Sequence, residues 1–325
     1  MGDVAMTVPV LKALTSQYPE IKLTVLTKTF FKPLFRDIAN VSVFEADIKG
    51  NHKGIYGLYK LSKSLKNTGF NSVADLHNVL RSNILKFFFF GKKVVQIDKG
   101  RAEKKALVSG QLFEQLKTTH QRYADVFERL GYSIDLSNPV FPKPSKLNNK
   151  SIQLIGDDLK PCIGIAPFAA FKGKAYPLSQ MQIVIETLSK DYKVLLFGAK
   201  GNEANQLQTI ANKNDNVINL AGQLSLNDEL DVISNLKLMI SMDSGNAHLA
   251  AMQGVKVLTI WGVTHPFAGF YPFHQDESNA VLADRTKFSK IPTSVYGNSI
   301  PEGYEDVFNT ISPEILLSKV KTILN

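Results

Sequence analysis

The chain has 325 residues, a length that accommodates two domains of about 150 residues each. Its hydrophobic fraction of 44% and charged fraction of 21% are those of a globular protein, which excludes collagen and wholesale disorder. The single cysteine, Cys162, excludes an internal disulfide. The net charge of +9 favours anionic partners.

Strand-like and helix-like segments alternate through residues 1–150. β-branched residues in alternation predict strands at 21–26, 41–46, 70–75 and 93–97. The spacing of apolar residues predicts helices at 8–17, 57–66, 79–88 and 123–130. This alternation predicts a parallel sheet with helices on both faces. The aromatic run Phe87–Phe90 lies on one of these helices, which indicates a core position rather than a membrane contact.

A proline-rich linker separates this half from the next. Residues 138–150 contain three prolines among polar residues, and strand–helix alternation restarts after them. Strands are predicted at 162–166, 192–197, 217–220, 236–241 and 255–261, with helices at 178–188, 226–233 and 246–252. We therefore predict two Rossmann-like domains, 1–150 and 151–325. A C-terminal helix at 312–325 could pack back on the first domain.

The first residues resemble a strand-to-helix loop without its strand. Gly2, Asp3 and Val4 lead almost at once into a helix that contains Pro9, whereas such a loop in a doubly wound domain follows a strand. A frayed terminus is one interpretation. We favour the other, in which the first and usually central strand is missing and Met1 is an internal methionine of the natural protein. Expression with the upstream reading frame tests this, and an extension that adds neither stability nor activity would refute it.

Several common enzyme signatures are absent from the sequence. There is no Gly-x-Gly-x-x-Gly after a strand, no Gly-x-x-x-x-Gly-Lys-Ser/Thr loop and no Gly-x-Ser-x-Gly elbow. The six histidines lack metal-ligand spacing. We therefore expect no dehydrogenase, P-loop enzyme, α/β-hydrolase or bound metal. We also expect a cytosolic protein, because no signal peptide or membrane span is evident.

Residues 238–254 form the segment with the most candidate ligand-binding residues. An apolar strand is followed by Asp243 and Ser244, and then by a helix that starts near Gly245. The free N–H groups and the positive dipole end of such a helix start bind anions, and His248 lies in its first turn. The alternative is that Asp243 or Ser244 only caps the helix.

Two further loops leave predicted strand ends, where open α/β sheets bind ligands. After one strand, Gly262 and Thr264 offer backbone amides and a hydroxyl to a phosphate or a ribose, with a plain turn as the alternative. After another, Lys174 lies in a loop of small residues and could neutralise a diphosphate leaving group. A solvated lysine is the alternative there.

The first half contains a loop of the same kind, and it is strongly basic. Arg81, helped by His77, is placed to meet an anionic partner. Residues 1–150 carry 24 Lys+Arg against 12 Asp+Glu (+12), whereas residues 151–325 carry 14 against 17 (−3). Nucleic acid, an acidic membrane surface and a phosphorylated glycolipid are candidate partners, and a solvated basic face is the alternative. Asp3 suits a general base that activates a hydroxyl, or else a helix cap.

These motifs together resemble glycosyltransferase family nine, the heptosyltransferases of lipopolysaccharide core assembly. The residues that carry the resemblance lie in consistent order: Gly2-Asp3-Val4 with Pro9, Asp75-Leu76-His77-Asn78 with Arg81-Ser82, Lys174 with Tyr176-Pro177, Ala221-Gly222, Asp243-Ser244-Gly245 with His248, and Gly262-Val263-Thr264-His265-Pro266. The last two motifs are the most specific, whereas Gly-Asp-Val alone is weak.

The resemblance implies a GT-B fold, in which two Rossmann-like domains face a cleft. The first domain would bind the acceptor and the second the nucleotide sugar. It also implies metal-free, inverting transfer, in which an acceptor hydroxyl attacks the anomeric carbon as the nucleoside diphosphate leaves. The family's commonest donor is ADP-heptose, and no separate cofactor is implied. The acceptor would be an anionic glycolipid at the cytoplasmic face of the inner membrane, with peripheral membrane contact and no nucleic acid partner.

The resemblance assigns roles to individual residues of this chain. It implies Asp3 as the general base and Lys174 as the diphosphate contact. The implied donor-binding residues are Asp243, Ser244, Gly245, His248, Gly262 and Thr264. The implied acceptor contacts are Arg81 and His77.

The chain departs from the family at one loop, and it permits rival interpretations. Pro167-Phe168-Ala169-Ala170 stands where many members have Pro-Gly-Ala-Ser, which weakens the expectation of phosphate contacts there. The rivals are a nucleotide-sugar-binding protein without turnover, a nucleotide-sugar epimerase of the same fold, and a nucleic-acid-binding module. An epimerase would convert the nucleotide sugar in a reaction without acceptor, and analysis of the products would identify it. A nucleic-acid-binding module would bind DNA with a steep dependence on salt concentration.

Overall fold

The structure is a computed structural model, and it describes residues 1–156 and 160–325. These residues form two compact units. The first consists mainly of residues 3–100 and 117–140, and the second mainly of residues 101–116 and 141–325.

Helices and strands alternate along the chain, as the hydrophobic pattern predicts. In residues 1–156 they are α1 (Gly2–Ala5), α2 (Thr7–Gln17), β1 (Leu23–Thr27), β2 (Val41–Glu45), α3 (Gly54–Lys66), β3 (Ser72–Asp75), α4 (Leu80–Phe87), β4 (Lys93–Gln96), α5 (Arg101–Val108), α6 (Thr119–Leu130) and α7 (Asn149–Ile155). In residues 160–325 they are β5 (Cys162–Ala166), α8 (Leu178–Leu188), β6 (Lys193–Leu196), α9 (Asn202–Ala211), β7 (Val217–Asn219), α10 (Leu226–Ile233), β8 (Leu238–Met242), α11 (Gly245–Met252), β9 (Lys256–Trp261), β10 (Ala280–Leu282) and α12 (Pro313–Leu324). The sequence did not predict α1, α5, α7, α9 or β10, which are short or largely polar.

The strands of the first unit form two separate parallel pairs. β1 pairs with β2, and β3 pairs with β4. Among the described residues, no strand hydrogen bonds join one pair to the other. The sequence predicted one parallel sheet in this half of the chain, whereas the described strands form two separate pairs. The predicted upstream strand itself stays a prediction.

The core of the first unit includes a cluster between α3 and α4. Three leucines of α3 pack there with Leu85 and Phe89. The aromatic run at the end of α4 is divided between core and surface: Phe89 is buried, whereas Phe87 and Phe90 are 81% and 96% exposed. The prediction that this run belongs to the core is therefore right for Phe89 and wrong for Phe87 and Phe90.

The second unit contains one six-stranded parallel sheet. Its strand order is β10-β9-β8-β5-β6-β7. The order is that of a doubly wound nucleotide-binding domain, in which the chain reverses direction across the sheet between β5 and β8. Every residue of β8 is buried, as expected for a parallel strand that is covered on both faces. Ligands of such sheets bind beyond the carboxyl ends of the two strands at the reversal.

The C-terminal helix belongs to the core of the second unit. Leu316, Val320 and Ile323 of α12 lie in the same buried cluster as the strands of the sheet. The helix packs against α8 and β9. Its apolar face is therefore covered within the second unit, whereas the sequence had left open that it packs back on the first.

Residues 101–116 pack with the second unit, although the sequence placed them in the first domain. The backbone N–H of Leu116 donates to the carbonyl of Phe267 at 3.0 Å. The Lys104 ammonium lies 4.0 Å from the centre of the Phe270 ring. Leu107 and Leu116 share a small core with residues of the loop that follows β9. These contacts join distant parts of the chain, and local sequence pattern does not report them.

No helix in the described part of the chain is long and apolar enough to cross a membrane.

A partly buried glutamate makes the stability of the second unit depend on pH. Burial raises the pKa of Glu229, in α10, from 4.5 to about 7. Between these values the folded state keeps a proton that the unfolded state releases, so stability falls as the pH rises. The cost is fully present above about pH 7 and amounts to about 2–3 kcal/mol.

We expect Glu229→Gln to remove this cost. The variant should exceed the wild type in unfolding free energy by about 2 kcal/mol at about pH 8 and match it near pH 4, where both states hold the proton. Urea denaturation at the two pH values measures the difference. Glu186→Gln, at an exposed glutamate of α8, controls for the loss of one negative charge. An equal gain at both pH values would show that packing, and not protonation, is responsible.

Candidate functional site

Three side chains predicted for the donor site meet at the reversal of the second sheet. The Lys174 Nζ atom lies 2.9 Å from Asp243 Oδ2. The Thr264 hydroxyl donates to the same oxygen at 3.0 Å. Lys174 follows β5, Asp243 follows β8 and Thr264 follows β9. The carboxyl ends of three parallel strands thus bring together residues that are far apart in the sequence.

Backbone contacts hold the Lys174 loop against these strand ends. The N–H of Val263 donates to the carbonyl of Gly173 at 3.0 Å. The N–H of Tyr176 donates to the Met242 sulfur at 3.3 Å. The Tyr176 hydroxyl donates to the carbonyl of Ile311 at 2.8 Å, and the ring is buried. Tyr176 of the Lys-x-Tyr-Pro motif therefore has a structural role, because its contacts hold Lys174 at the edge of the sheet.

Asp243 forms an ion pair with Lys174. The side-chain contacts of its carboxylate are the lysine and Thr264, and the contact with sugar hydroxyls stays a prediction. The side chains of Lys174 and Asp243 are only 16% and 8% exposed, so their attraction is little screened by water. Thr264 is itself buried, and its hydroxyl positions the carboxylate.

The start of α11 presents backbone N–H groups beside this ion pair. Ser244 occupies the N-cap position, but its side chain makes no capping bond. Instead its hydroxyl and that of Ser241 share a hydrogen bond of 3.0 Å. Gly245 begins the helix and His248 is buried one turn later. A helix start whose N–H groups are not capped by a side chain is suited to an anion such as a phosphate.

The structure adds candidate residues that the sequence analysis missed. The Oδ1 atom of Asn246, in the first turn of α11, is buried and accepts no hydrogen bond from any residue in the described ranges. In the loop after β6, the side chain of Lys200 lies against Gly222, and Glu203 accepts from the N–H of Ala199 at 2.7 Å. A strand followed by Gly-x-x-Gly in residues 198–201 was the available signal.

The glycine after β9 is required by close packing. A Cβ atom on Gly262 would lie 2.3 Å from Phe308 Cζ and 2.5 Å from the carbonyl oxygen of Gly173. The residue thus lets the Lys174 loop approach the end of β9. The predicted donor contact of Gly262 stays a proposal.

We expect Gly262→Ala to lower the unfolding free energy by about 1–3 kcal/mol, because the methyl group overpacks this contact. Denaturation in urea measures the loss. The second substitution Phe308→Leu makes room on the ring side only, so the double variant should regain part of the stability. Full recovery would show that the Gly173 carbonyl is not a constraint.

An aromatic cluster follows β9. The Arg285 guanidinium lies 3.4 Å from the centre of the Phe113 ring, and His265 meets the same ring edge-on at 5.1 Å. Burial and the charge of Arg285 lower the pKa of His265 to about 4. The imidazole is therefore neutral near pH 7, and its Nδ1 atom accepts from the N–H of Phe267 at 3.2 Å.

In the first unit, the loop after β3 is organised by its own carboxylate. Asp75 accepts from the N–H groups of His77 and Asn78, at 3.0 and 2.8 Å, and from the Gln96 side chain at 2.8 Å. Burial acts to raise the pKa of Asp75, but these hydrogen bonds and one from Ser82 outweigh it and lower the pKa. Asp75 is thus a structural residue that shapes the loop carrying His77.

The predicted residues of the first unit act on one another electrostatically. Loss of hydration lowers the pKa of His77, and the charges of Lys99 and Arg81 lower it further. The charges of Asp3 and Asp75 oppose this effect. Asp3 therefore lies close enough to His77 for its charge to act on the imidazole. Lys99 adds a cation that the sequence analysis missed.

Asp3 lies in a short helix rather than in a loop. It belongs to α1, and its backbone carbonyl accepts from the Tyr123 hydroxyl at 3.2 Å. Burial and the charge of Asp3 raise the pKa of Tyr123. Asp3 is an exposed residue. A fixed backbone with an exposed carboxylate is a geometry from which the side chain could take a proton.

No group of three or more His, Cys, Asp or Glu residues that could hold a metal ion is found in residues 1–156 and 160–325.

Solved structures share this architecture. A glycosyltransferase family 9 protein from Veillonella parvula has a TM-score of 0.75 and 19% identity, with 99% of this chain and 94% of that chain covered. The E. coli ADP-heptose lipopolysaccharide heptosyltransferase II has a TM-score of 0.71 and 19% identity, with 99% and 95% covered. The chain therefore has the GT-B fold of two Rossmann-like domains that characterises this class of glycosyltransferases.

The sequence comparisons give the family. The sequence model of glycosyltransferase family 9 (heptosyltransferase) matches residues 58–293, which is more than half of the chain. The lipooligosaccharide heptosyltransferase 2 of Haemophilus influenzae is 24% identical over 352 aligned positions, which cover 100% of this chain and 96% of that protein. The chain belongs to glycosyltransferase family 9, and it is a glycosyltransferase.

Proposed function

We propose that this glycosyltransferase transfers a heptose from ADP-heptose to the core of a lipopolysaccharide or a related glycolipid. The observation that carries the proposal is the Lys174–Asp243–Thr264 arrangement beside the start of α11. A fixed lysine and a helix start together suit a nucleoside diphosphate. Relatives named as lipooligosaccharide and lipopolysaccharide heptosyltransferases support the choice of sugar and acceptor. One similar structure is described with bound ADP.

We propose an inverting displacement that needs no metal ion. Asp3 takes the proton of an acceptor hydroxyl, and the oxygen forms a bond to the anomeric carbon. The bond from that carbon to the diphosphate oxygen breaks, and ADP leaves with the electron pair. Lys174 stabilises the charge that develops on the leaving diphosphate. The N–H groups of Ser244 and Gly245 and the side chain of His248 hold phosphate or sugar, and Gly262 and Thr264 complete the donor site.

The acceptor belongs to the first unit in this proposal. Arg81 and Lys99 lie close enough to His77 to shift its pKa, so the site concentrates positive charge near Asp3. Such charge suits the anionic groups of a core glycolipid. We place the reaction at the cytoplasmic face of the inner membrane, where a glycolipid acceptor is accessible to a peripheral enzyme.

Transfer assays with defined donors test the proposal. The purified protein is incubated with a heptose-deficient core lipopolysaccharide and ADP-heptose, and parallel reactions contain UDP-, GDP- or CDP-sugars. We expect the acceptor mass to rise by one heptose with ADP-heptose only, and the rate to be unchanged by EDTA. The anomeric configuration of the product, read by NMR, should be inverted. Turnover with another donor only, or sugar conversion without acceptor, would overturn the assignment.

A further inference from the structure

The first unit exposes a group of large apolar side chains on α3, on α4 and just beyond α4. We call Ile55, Tyr56, Tyr59, Leu80, Phe87 and Phe90 the α3–α4 patch. Leu80, Phe87 and Phe90 are 76%, 81% and 96% exposed, which makes them the three most exposed large hydrophobic residues in the described part of the chain. Exposed apolar groups of this size mark interaction surfaces in soluble proteins.

Helix geometry shows that the patch is not misplaced core. The face of α3 that is buried carries Leu58, Leu61 and Leu65, while Tyr56 and Tyr59 lie on the opposite face. In α4 and beyond, Leu85 and Phe89 are buried with the same core. Leu80 and Phe87 are seven residues apart and so share a face of α4. The core is therefore complete without the patch.

Ring contacts connect the two helices at the surface. Tyr59 of α3 meets Phe88 edge-on, with ring centres 5.6 Å apart. Phe88 in turn meets Phe87, with centres 6.2 Å apart. The aromatic side chains of α3 and α4 thus form one continuous surface.

The patch lies in the most basic part of the sequence. Residues 48–97 contain nine Lys+Arg (Lys49, Lys53, Lys60, Lys63, Lys66, Arg81, Lys86, Lys92 and Lys93) and one acidic residue, Asp75. Their net charge is 9 − 1 = +8, whereas the whole chain has +9. Asp75 is buried and bonded to backbone N–H groups, so it does not offset this charge at the surface.

Lysines and aromatic rings are interleaved on the exposed face of α3. The Lys60 ammonium lies 4.7 Å from the centre of the Tyr56 ring, and the Lys63 ammonium lies 4.7 Å from the centre of the Tyr59 ring. Rings that enter the interfacial layer of a bilayer, beside lysines that reach the lipid phosphates, are typical of membrane-surface helices. A lysine-rich surface is unlike the core of protein interfaces, where lysine is depleted.

We infer that the α3–α4 patch docks the enzyme on an anionic phospholipid bilayer. The apolar side chains enter the interfacial layer, and the lysines bind the negative surface. This inference rests on the proposed function, because a lipid-linked acceptor is reached from the membrane surface. It assigns the docking to a defined surface and to two contributions, since an apolar anchor or a basic patch alone binds membranes only weakly.

Vesicle sedimentation tests the inference with the full-length protein. We expect binding to vesicles of phosphatidylcholine with phosphatidylglycerol, and weak binding to phosphatidylcholine alone. Phe87→Ser/Phe90→Ser should lower the partition coefficient by about tenfold or more, because two exposed rings lose their insertion. Lys60→Gln/Lys63→Gln should lower it by about tenfold on the anionic vesicles only. Lys213→Gln/Lys321→Gln, at exposed lysines of the second unit, is the matched control and should bind like the wild type.

An activity assay separates this inference from the proposed function. On a delipidated, soluble acceptor the Phe87→Ser/Phe90→Ser variant should match the wild type, while on acceptor in vesicles its rate should fall. Wild-type protein that binds vesicles but transfers no heptose would contradict the proposed function alone. Equal vesicle binding by both Phe variant and wild type would overturn the docking inference. So would self-association of the wild type that the Phe substitutions abolish, because a second copy would then cover the patch.

Discussion

Lys174→Ala is expected to lower kcat by about 10²–10³, because the developing charge on the leaving diphosphate loses its fixed cation. It also leaves Asp243, which is 8% exposed, without its partner at 2.9 Å. Removal of one member of such a pair costs more than the pair itself contributes, because the remaining charge stays poorly hydrated. We therefore expect a lower unfolding free energy as well, by about 2–4 kcal/mol. Steady-state kinetics and urea denaturation measure the two effects.

A double substitution separates these two effects. Lys174→Ala/Asp243→Ala removes both charges, so it should recover much of the stability that the single variant loses. Its kcat should stay low, because the cation is still missing. Lys174→Arg keeps a charge at the position and should retain more activity than the alanine variant. If the double variant regained activity together with stability, Lys174 would be a structural residue only.

Asp3→Asn is expected to lower kcat by about 10²–10⁴, which is the contribution typical of a general base. Stability should change little, because the residue is exposed and the contact to Tyr123 uses the Asp3 backbone carbonyl. Donor binding should also be preserved, since the donor residues belong to the second unit. Acceptor-saturated kinetics, calorimetric titration with ADP and thermal denaturation measure the three quantities.

The matched control for Asp3 is Glu20→Gln, which removes a carboxylate from another exposed position of the first unit. We expect this variant to keep the wild-type kcat and melting temperature. An Asp3→Asn variant with wild-type kcat would remove Asp3 from the mechanism, and another base would then be needed. A variant that loses ADP affinity would instead point to a disturbed fold.

Sheet topology explains why the residues of the candidate site, but not the contacts among them, could be predicted from the sequence. Lys174, Asp243 and Thr264 each follow a predicted strand, and the carboxyl ends of parallel strands share one edge of a sheet. The sequence therefore indicated that these residues gather at one edge. It did not indicate that Asp243 binds Lys174 or that Thr264 is buried against Asp243, because those contacts depend on loop conformations held by distant backbone groups.

The predictions that differ from the structure involve contacts that local pattern does not contain. The spacing predicted that Phe87–Phe90 lie on a helix, whereas α4 ends at Phe87, and which rings face the core depends on how α3 and α4 pack. The sequence placed residues 101–116 in the first domain, but they contact Phe267 and Phe270 of the second unit. Pairing of this kind is decided between segments that are remote in the chain.

The alternation of strands and helices, the GT-B class and the family were predictable from the sequence, because hydrophobic period and short glycine-, aspartate- and histidine-containing motifs are local properties. The six-strand order of the second sheet, the separation of the first unit's strands into two pairs and the Lys174–Asp243 contact became evident from the folded chain. The packing also left Phe87 and Phe90 exposed and placed Lys60 and Lys63 beside the rings of Tyr56 and Tyr59. These features depend on which distant segments exclude water from one another, and that is set when the whole chain packs.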